Sequence, residues 1–186
     1  MDSLELLVEE HKYIKRMLVV VRAVCLGVMK GEEINYEDFK DIIDFIRMYA
    51  DKHHHGKEEK LLFNRMISEI GGLAEKLVKH GMLVEHDLGR QFIMGLEEAL
   101  EKVRNGDDTF RLDVIANAIS YTHLLYRHID KEDAAVYPFA KRSLKKETLD
   151  TIDSETAEFE EKMELEGIQK KYIHKLEEME RKYLSL

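Results

Sequence analysis

Apolar residues recur at spacings of three and four along most of this chain, and that period points to helix. Leu4, Leu7, His11, Ile14 and Leu18 share one helix face, and Phe39, Ile43, Ile46, Ala50 and His54 share another. A single proline, Pro138, leaves room for long uninterrupted helices. No useful stretch alternates at period two, so no sheet is expected. Four long helices are predicted, over about 3–30 with Asp2 or Ser3 as cap, 36–69, 73–104 and 110–144. The breakers KGEEIN, IGG (70–72) and NGDDT separate them. Long helices with short connections predict an all-α protein, an up-down-up-down antiparallel four-helix bundle over residues 1–144.

Residues 145–186 read differently. They are rich in Glu and Lys, with Phe159, Met163, Leu165, Ile168, Tyr172 and Leu176 as sparse apolar points. This is expected to be a charged helical extension of one or two helices, bent at Gly167, with the pattern of a solvated surface. It could pack on the bundle, on a second copy in a homodimer, or on a redox partner. The net charge of −9 argues against nucleic acid, whose phosphates want a basic face. The one cysteine, Cys25, sits in an apolar run, which suits buried packing and excludes an intramolecular disulfide or a Cys-rich metal site. The opening MDSLELLVEEH has no basic n-region, and no apolar run approaches the ~20 residues needed to cross a bilayer. The expected compartment is the cytoplasm, with no membrane partner.

Two segments are near copies. His54–Glu59 reads HHGKEE and His128–Asp133 reads HIDKED, both H-x-x-K-E-acid. Each places a histidine four residues before a glutamate, His54/Glu58 and His128/Glu132, on one helix face. Upstream, EEHKYIKRML (9–18) and VEHDLGRQFI (84–93) also match, each an E-H followed by an apolar stripe. The interval from His11 to His54 nearly equals that from His86 to His128. The chain is therefore two copies of one helical hairpin. An isolated histidine on an amphipathic helix is ordinarily a boundary residue, and an isolated HxxxE an ordinary surface pair. The joint pattern is different: folded as a bundle, it brings four His and two Glu to one level of a core that tolerates polar groups only when they are partnered. Metal ions supply such a partner. Imidazole and carboxylate suit iron, zinc or manganese, and two carboxylates can bridge two ions.

These residues resemble the hemerythrin-like family, with its HHE cation-binding order of His, HxxxE, His, HxxxE. HHGKEEKLLF, EHDLGR and HIDKEDAAVYP come in the family order, and the likeness spans roughly residues 4–143. The resemblance implies a four-helix bundle holding a non-haem di-iron centre, two iron ions bridged by glutamates and capped by histidines. Carried over by position, the implied ligands are His11, His54, Glu58, His86, His128 and Glu132. Which imidazole caps which ion stays open. Oxygen-carrying hemerythrins place two histidines four apart on the third helix, whereas here Met82 stands four before His86. That implies four histidines rather than five, and favours reactivity, sensing or iron handling over oxygen storage.

The neighbouring residues have plainer readings. His55/Glu59 has the HxxxE spacing but lies about 100° further round an α-helix, so His54/Glu58 is expected to serve and His55 to be dispensable. His80, His123 and His174 are expected off the centre. Tyr121 reads as core, Arg90 as either a support for a carboxylate or a surface group, and Glu10 and Glu85 as surface charges that happen to repeat. A ferritin-like di-iron bundle would use Glu-x-x-His, the reverse order. Three functions follow: a binder or sensor of oxygen, nitric oxide or peroxide; an enzyme reducing nitric oxide or peroxide, or an iron-handling factor that repairs iron–sulfur clusters; and a structural metal bundle whose tail meets a partner.

Overall fold

The computed structural model describes residues 2–184. Every regular element among them is helical. Six helices follow in order: α1, Ser3–Met29; α2, 36–70; α3, 72–104; α4, 111–143; α5, Lys146–Leu165; and α6, Ile168–Tyr183. Asp2 caps α1, its carboxylate accepting from the N–H groups of Leu4 and Glu5, and Asn35 caps α2 through the Asp38 N–H. Gly71, Gly106 and Gly167 take positive φ between helices, where a Cβ would be strained. The helices thus start and stop within a few residues of the sequence expectation.

Two apolar clusters are stacked along the bundle, one at each end of a polar layer. On α1, Leu7 belongs to one cluster and Ile14 to the other, with His11 between. On α2 the order reverses: Ala50 precedes His54 and Glu58, and Leu62 follows them. It reverses again on α3, from Met82 through His86 to Ile93, and once more on α4, from Leu125 through His128 and Glu132 to Val136. The apolar period of each helix therefore places its polar residues at a common level.

The tail is not a solvated surface helix. Met163, Ile168, Tyr172, Leu176 and Met179 enter the larger core cluster, and Ile152 the smaller. Each large apolar side chain fully buried contributes about 1.5–3 kcal/mol, enough to hold two charged helices against the bundle. Leu165, at the turn, is exposed. Polar tethers complete the docking: Asp153 accepts from Ser3 N–H at 2.8 Å, Glu155 from Arg65 at 2.6 Å, and Glu180 from Arg16 at 2.6 and 2.9 Å. No helix among the described residues is long and apolar enough to cross a membrane.

Candidate metal centre

The helices depart from α geometry where they meet the polar layer. Ile46–His55 and Glu58–Phe63 on α2, Val78–Met82 just before His86 on α3, and Glu132–Val136 on α4 are π-helical. With i→i+5 bonds the turn widens, so each residue advances by less than the about 100° of an α-helix. Consecutive side chains stay nearer one face, and His53, His54 and His55 are all buried.

All six residues expected as ligands are buried in one cluster, and His55 joins them. One donor group consists of His55, Glu58, His86 and His128, the other of His11, His54 and Glu132. Within each, one donor atom per residue lies within 4.8 Å of the rest. The groupings follow the repeat, His11 with His54 and His86 with His128. The two carboxylates stand between the groups. Glu132 lies 3.3 Å from His11 Nε2 and 3.2 Å from His128 Nε2, and Glu58 Oε2 lies 3.7 Å from His54 Nε2 and 3.6 Å from His86 Nε2. His86 Nε2 and His128 Nε2 are 3.1 Å apart. His54 Nε2, Glu58 Oε2 and both oxygens of Glu132 are buried with no hydrogen-bond partner. Unpaired buried polar atoms of this kind cost of the order of 1–3 kcal/mol each, so their convergence fits a bound cation.

Outside the cluster, each of the five histidines donates its Nδ1–H to a carboxylate. The pairs are His11–Asp133 (2.7 Å), His54–Glu10 (2.8 Å), His55–Asp51 (3.2 Å), His86–Glu59 (2.7 Å) and His128–Glu85 (2.9 Å). With Nδ1 bonded outward, each ring turns its Nε2 inward, the atom through which a neutral histidine binds a metal. Cations brace these carboxylates in turn. Lys57 pairs with Glu10, Lys131 with Glu85, Lys15 with Asp133, and Arg90 with both Asp51 and Glu59. Every named position of the H-x-x-K-E-acid repeat thus has a role: inward histidine, lysine brace, inward glutamate, outer carboxylate.

Protons occupy the metal-free cluster unevenly. Burial drives the Glu58 carboxyl well above the usual carboxylate range, reinforced by Glu132 beside it. Burial pushes Glu132 the same way, but His128 and His11 outweigh it and hold Glu132 well below that range. Burial would depress His128, yet Glu132 and Glu85 raise it to about 9. Burial and neighbouring imidazoles hold His54 well below its ordinary value and His55 at about 3. Divalent metal would take the place of the cluster's imidazolium charge.

The model of the hemerythrin HHE cation binding domain matches residues 2–140. The chain belongs to the hemerythrin HHE cation-binding family. No curated protein matches it. Membership and the converging donors identify a cation-binding helical domain.

Within this family member, several residues stand elsewhere than the sequence suggested. His55 lies among the donors rather than apart from them: its ring stacks on His86 with centroids 3.8 Å apart. The α-helical angle that set it aside does not apply to a π-helical segment. Glu10 and Glu85 are not incidental surface charges but the acceptors for His54 and His128. Arg90 braces the outer carboxylates rather than the central ones. His80, His123 and His174 are exposed, away from the cluster. Tyr121 is buried and, with His55, His86 and Gly89, lines a cavity of about 210 Å³ against the outer side of those imidazoles. Cys25 is buried, and burial pushes its thiol up to about 11. Sequence reasoning passed over Tyr137, whose hydroxyl donates to Glu58 Oε1 at 2.7 Å and whose ring stacks on His11. Its place one turn beyond Glu132 was the available signal. A third convergence, Glu10, His53 and Glu160, already holds a cation, because the Lys57 ammonium rests on both carboxylates.

Proposed function

We propose that the cluster holds two iron ions as a carboxylate-bridged, non-haem centre, and that the protein uses it to bind or sense oxygen, nitric oxide or peroxide. His55, His86 and His128 with Glu58 would hold one ion, and His11 and His54 with Glu132 the other. The observation that carries this reading is the pair of carboxylates standing between two imidazole groups, with unpartnered oxygens directed at both. Mixed imidazole and carboxylate donors suit iron, and bound iron(II) supplies the capacity to take up such small molecules. The His11 group has one imidazole fewer, which leaves more of an ion's surroundings for an exogenous ligand. Tyr137 stands beside it, its hydroxyl 3.4 Å from His11 Nε2. The residues' own tasks are to present Nε2 lone pairs, keep Nδ1 protons on the outer carboxylates, and exclude water with the apolar clusters on either side.

Elemental analysis of protein purified without a histidine tag, with visible spectra of the reduced protein before and after exposure to oxygen or nitric oxide, tests the proposal. Two irons per chain and a charge-transfer band that responds to the gas are expected. Zinc or manganese in the site, or a band indifferent to both gases and to peroxide, would sink it.

A further inference from the structure

Helix α5 lies beyond the stretch that matches the family, yet it reaches the support of the metal cluster. Its Glu160 accepts from His53 Nε2 at 2.8 Å and from the Lys57 ammonium. Gln169 on α6 donates to the other oxygen of Glu160 at 2.8 Å, so both tail helices place this carboxylate. Lys57 also pairs with Glu10 Oε1, and Glu10 Oε2 accepts from His54 Nδ1 at 2.8 Å. An unbroken chain of polar contacts therefore runs from the tail to His54. Lys57 is 2% exposed and Glu10 3%. A buried ammonium draws strongly on any carboxylate within reach, and with one carboxylate only it would compete with His54 for Glu10. Glu160 shares the ammonium and leaves the second oxygen of Glu10 to the imidazole.

The other half of the repeat lacks this arrangement. Lys131 braces Glu85 in the same way, but its side chain is 47% exposed, and an ammonium open to solvent needs no second carboxylate. We infer that Glu160 is a positioning residue for the metal centre, acting through Lys57 and Glu10 on His54, so that the C-terminal helices tune one donor group and not the other. The metal-retention part of the test rests on the cluster being a metal site; the proton-exchange part does not.

The test uses the full chain with Glu160→Ala, Glu160→Gln and, as a control that cuts a different tether of the same helix, Glu155→Ala. In metal-free protein, proton exchange at the imidazole Nδ1–H groups is read by NMR. Glu160→Ala is expected to loosen the local structure that protects His54 and speed exchange there by roughly tenfold, and to leave His128 unchanged. Glu160→Gln, whose amide oxygen still accepts from Lys57 and His53, should restore most of the protection. In iron(II)-loaded protein, Glu160→Ala should release one of two ions to a chelator about tenfold faster and the other at the wild-type rate. An unchanged His54 proton, or equal acceleration at His54 and His128 as a general loosening would give, overturns the inference. A wild-type chain that takes up no iron refutes the metal reading, while the His54 signal still decides this one.

Discussion

The two halves of the cluster are built from one pattern and finished differently. Glu10 matches Glu85, Lys57 matches Lys131, Asp133 matches Glu59, and Lys15 matches Arg90, each pair making the equivalent contact. Three features break the correspondence. His55 faces the cluster where the second copy has buried Ile129, Tyr137 stands where the first copy has Phe63, and the tail covers Lys57 but not Lys131. Duplication thus supplies two similar cradles, while a few substitutions and an added pair of helices make them unequal. An unequal pair is suited to a centre in which one ion is enclosed by protein donors and the other keeps room for a small molecule.

The largest effect should come from residues that both halves share. Glu58→Ala or Glu132→Ala removes a carboxylate from between the groups, and metal content is expected to fall to one ion or none per chain by elemental analysis. Two retained ions would mean that neither carboxylate bridges. Next comes the residue that only one half has. His55→Ala should weaken one ion by roughly 10- to 100-fold, by analogy with the loss of an outer partner as a lower bound, read by competition with a chelator. Retention of two ions at wild-type affinity would restore the symmetric set of four histidines.

The outer carboxylates sharpen the comparison further. Glu10→Gln leaves Lys57 buried with a single carboxylate partner and should cost the metal-free protein roughly 3 kcal/mol in chemical denaturation. Glu85→Gln leaves Lys131 to water and should cost about 1 kcal/mol or less. Equal losses would show that the tail does not set the difference. Smallest in its effect on the metal, Tyr137→Phe removes the donor to Glu58 Oε1 and gives the second copy the phenylalanine that the first copy has in Phe63. A stability loss of about 1–2 kcal/mol is expected, with both ions kept. Loss of an ion in this variant would make the phenol part of the donor set.

Much of this was legible in the chain because it is local or repeated. Spacings of three and four dictated helices, glycines and capping residues marked their ends, and the fixed i,i+4 interval put each histidine over its glutamate. The duplicated H-x-x-K-E-acid and E-H segments singled out His11, His54, Glu58, His86, His128 and Glu132, since polar residues recurring at matched core positions call for a shared partner. What tertiary structure alone decided lies across helices. Glu10 turns to His54 rather than to water because α1 packs beside α2. His55 enters because a π-helical stretch, which no period in the sequence announces, alters its angle. Glu160 meets Lys57 from more than a hundred positions away in the chain. Local geometry fixes which residues share a face, but pairings between faces depend on how whole helices pack, and that is settled by the summed burial of apolar surface rather than by any short stretch of residues.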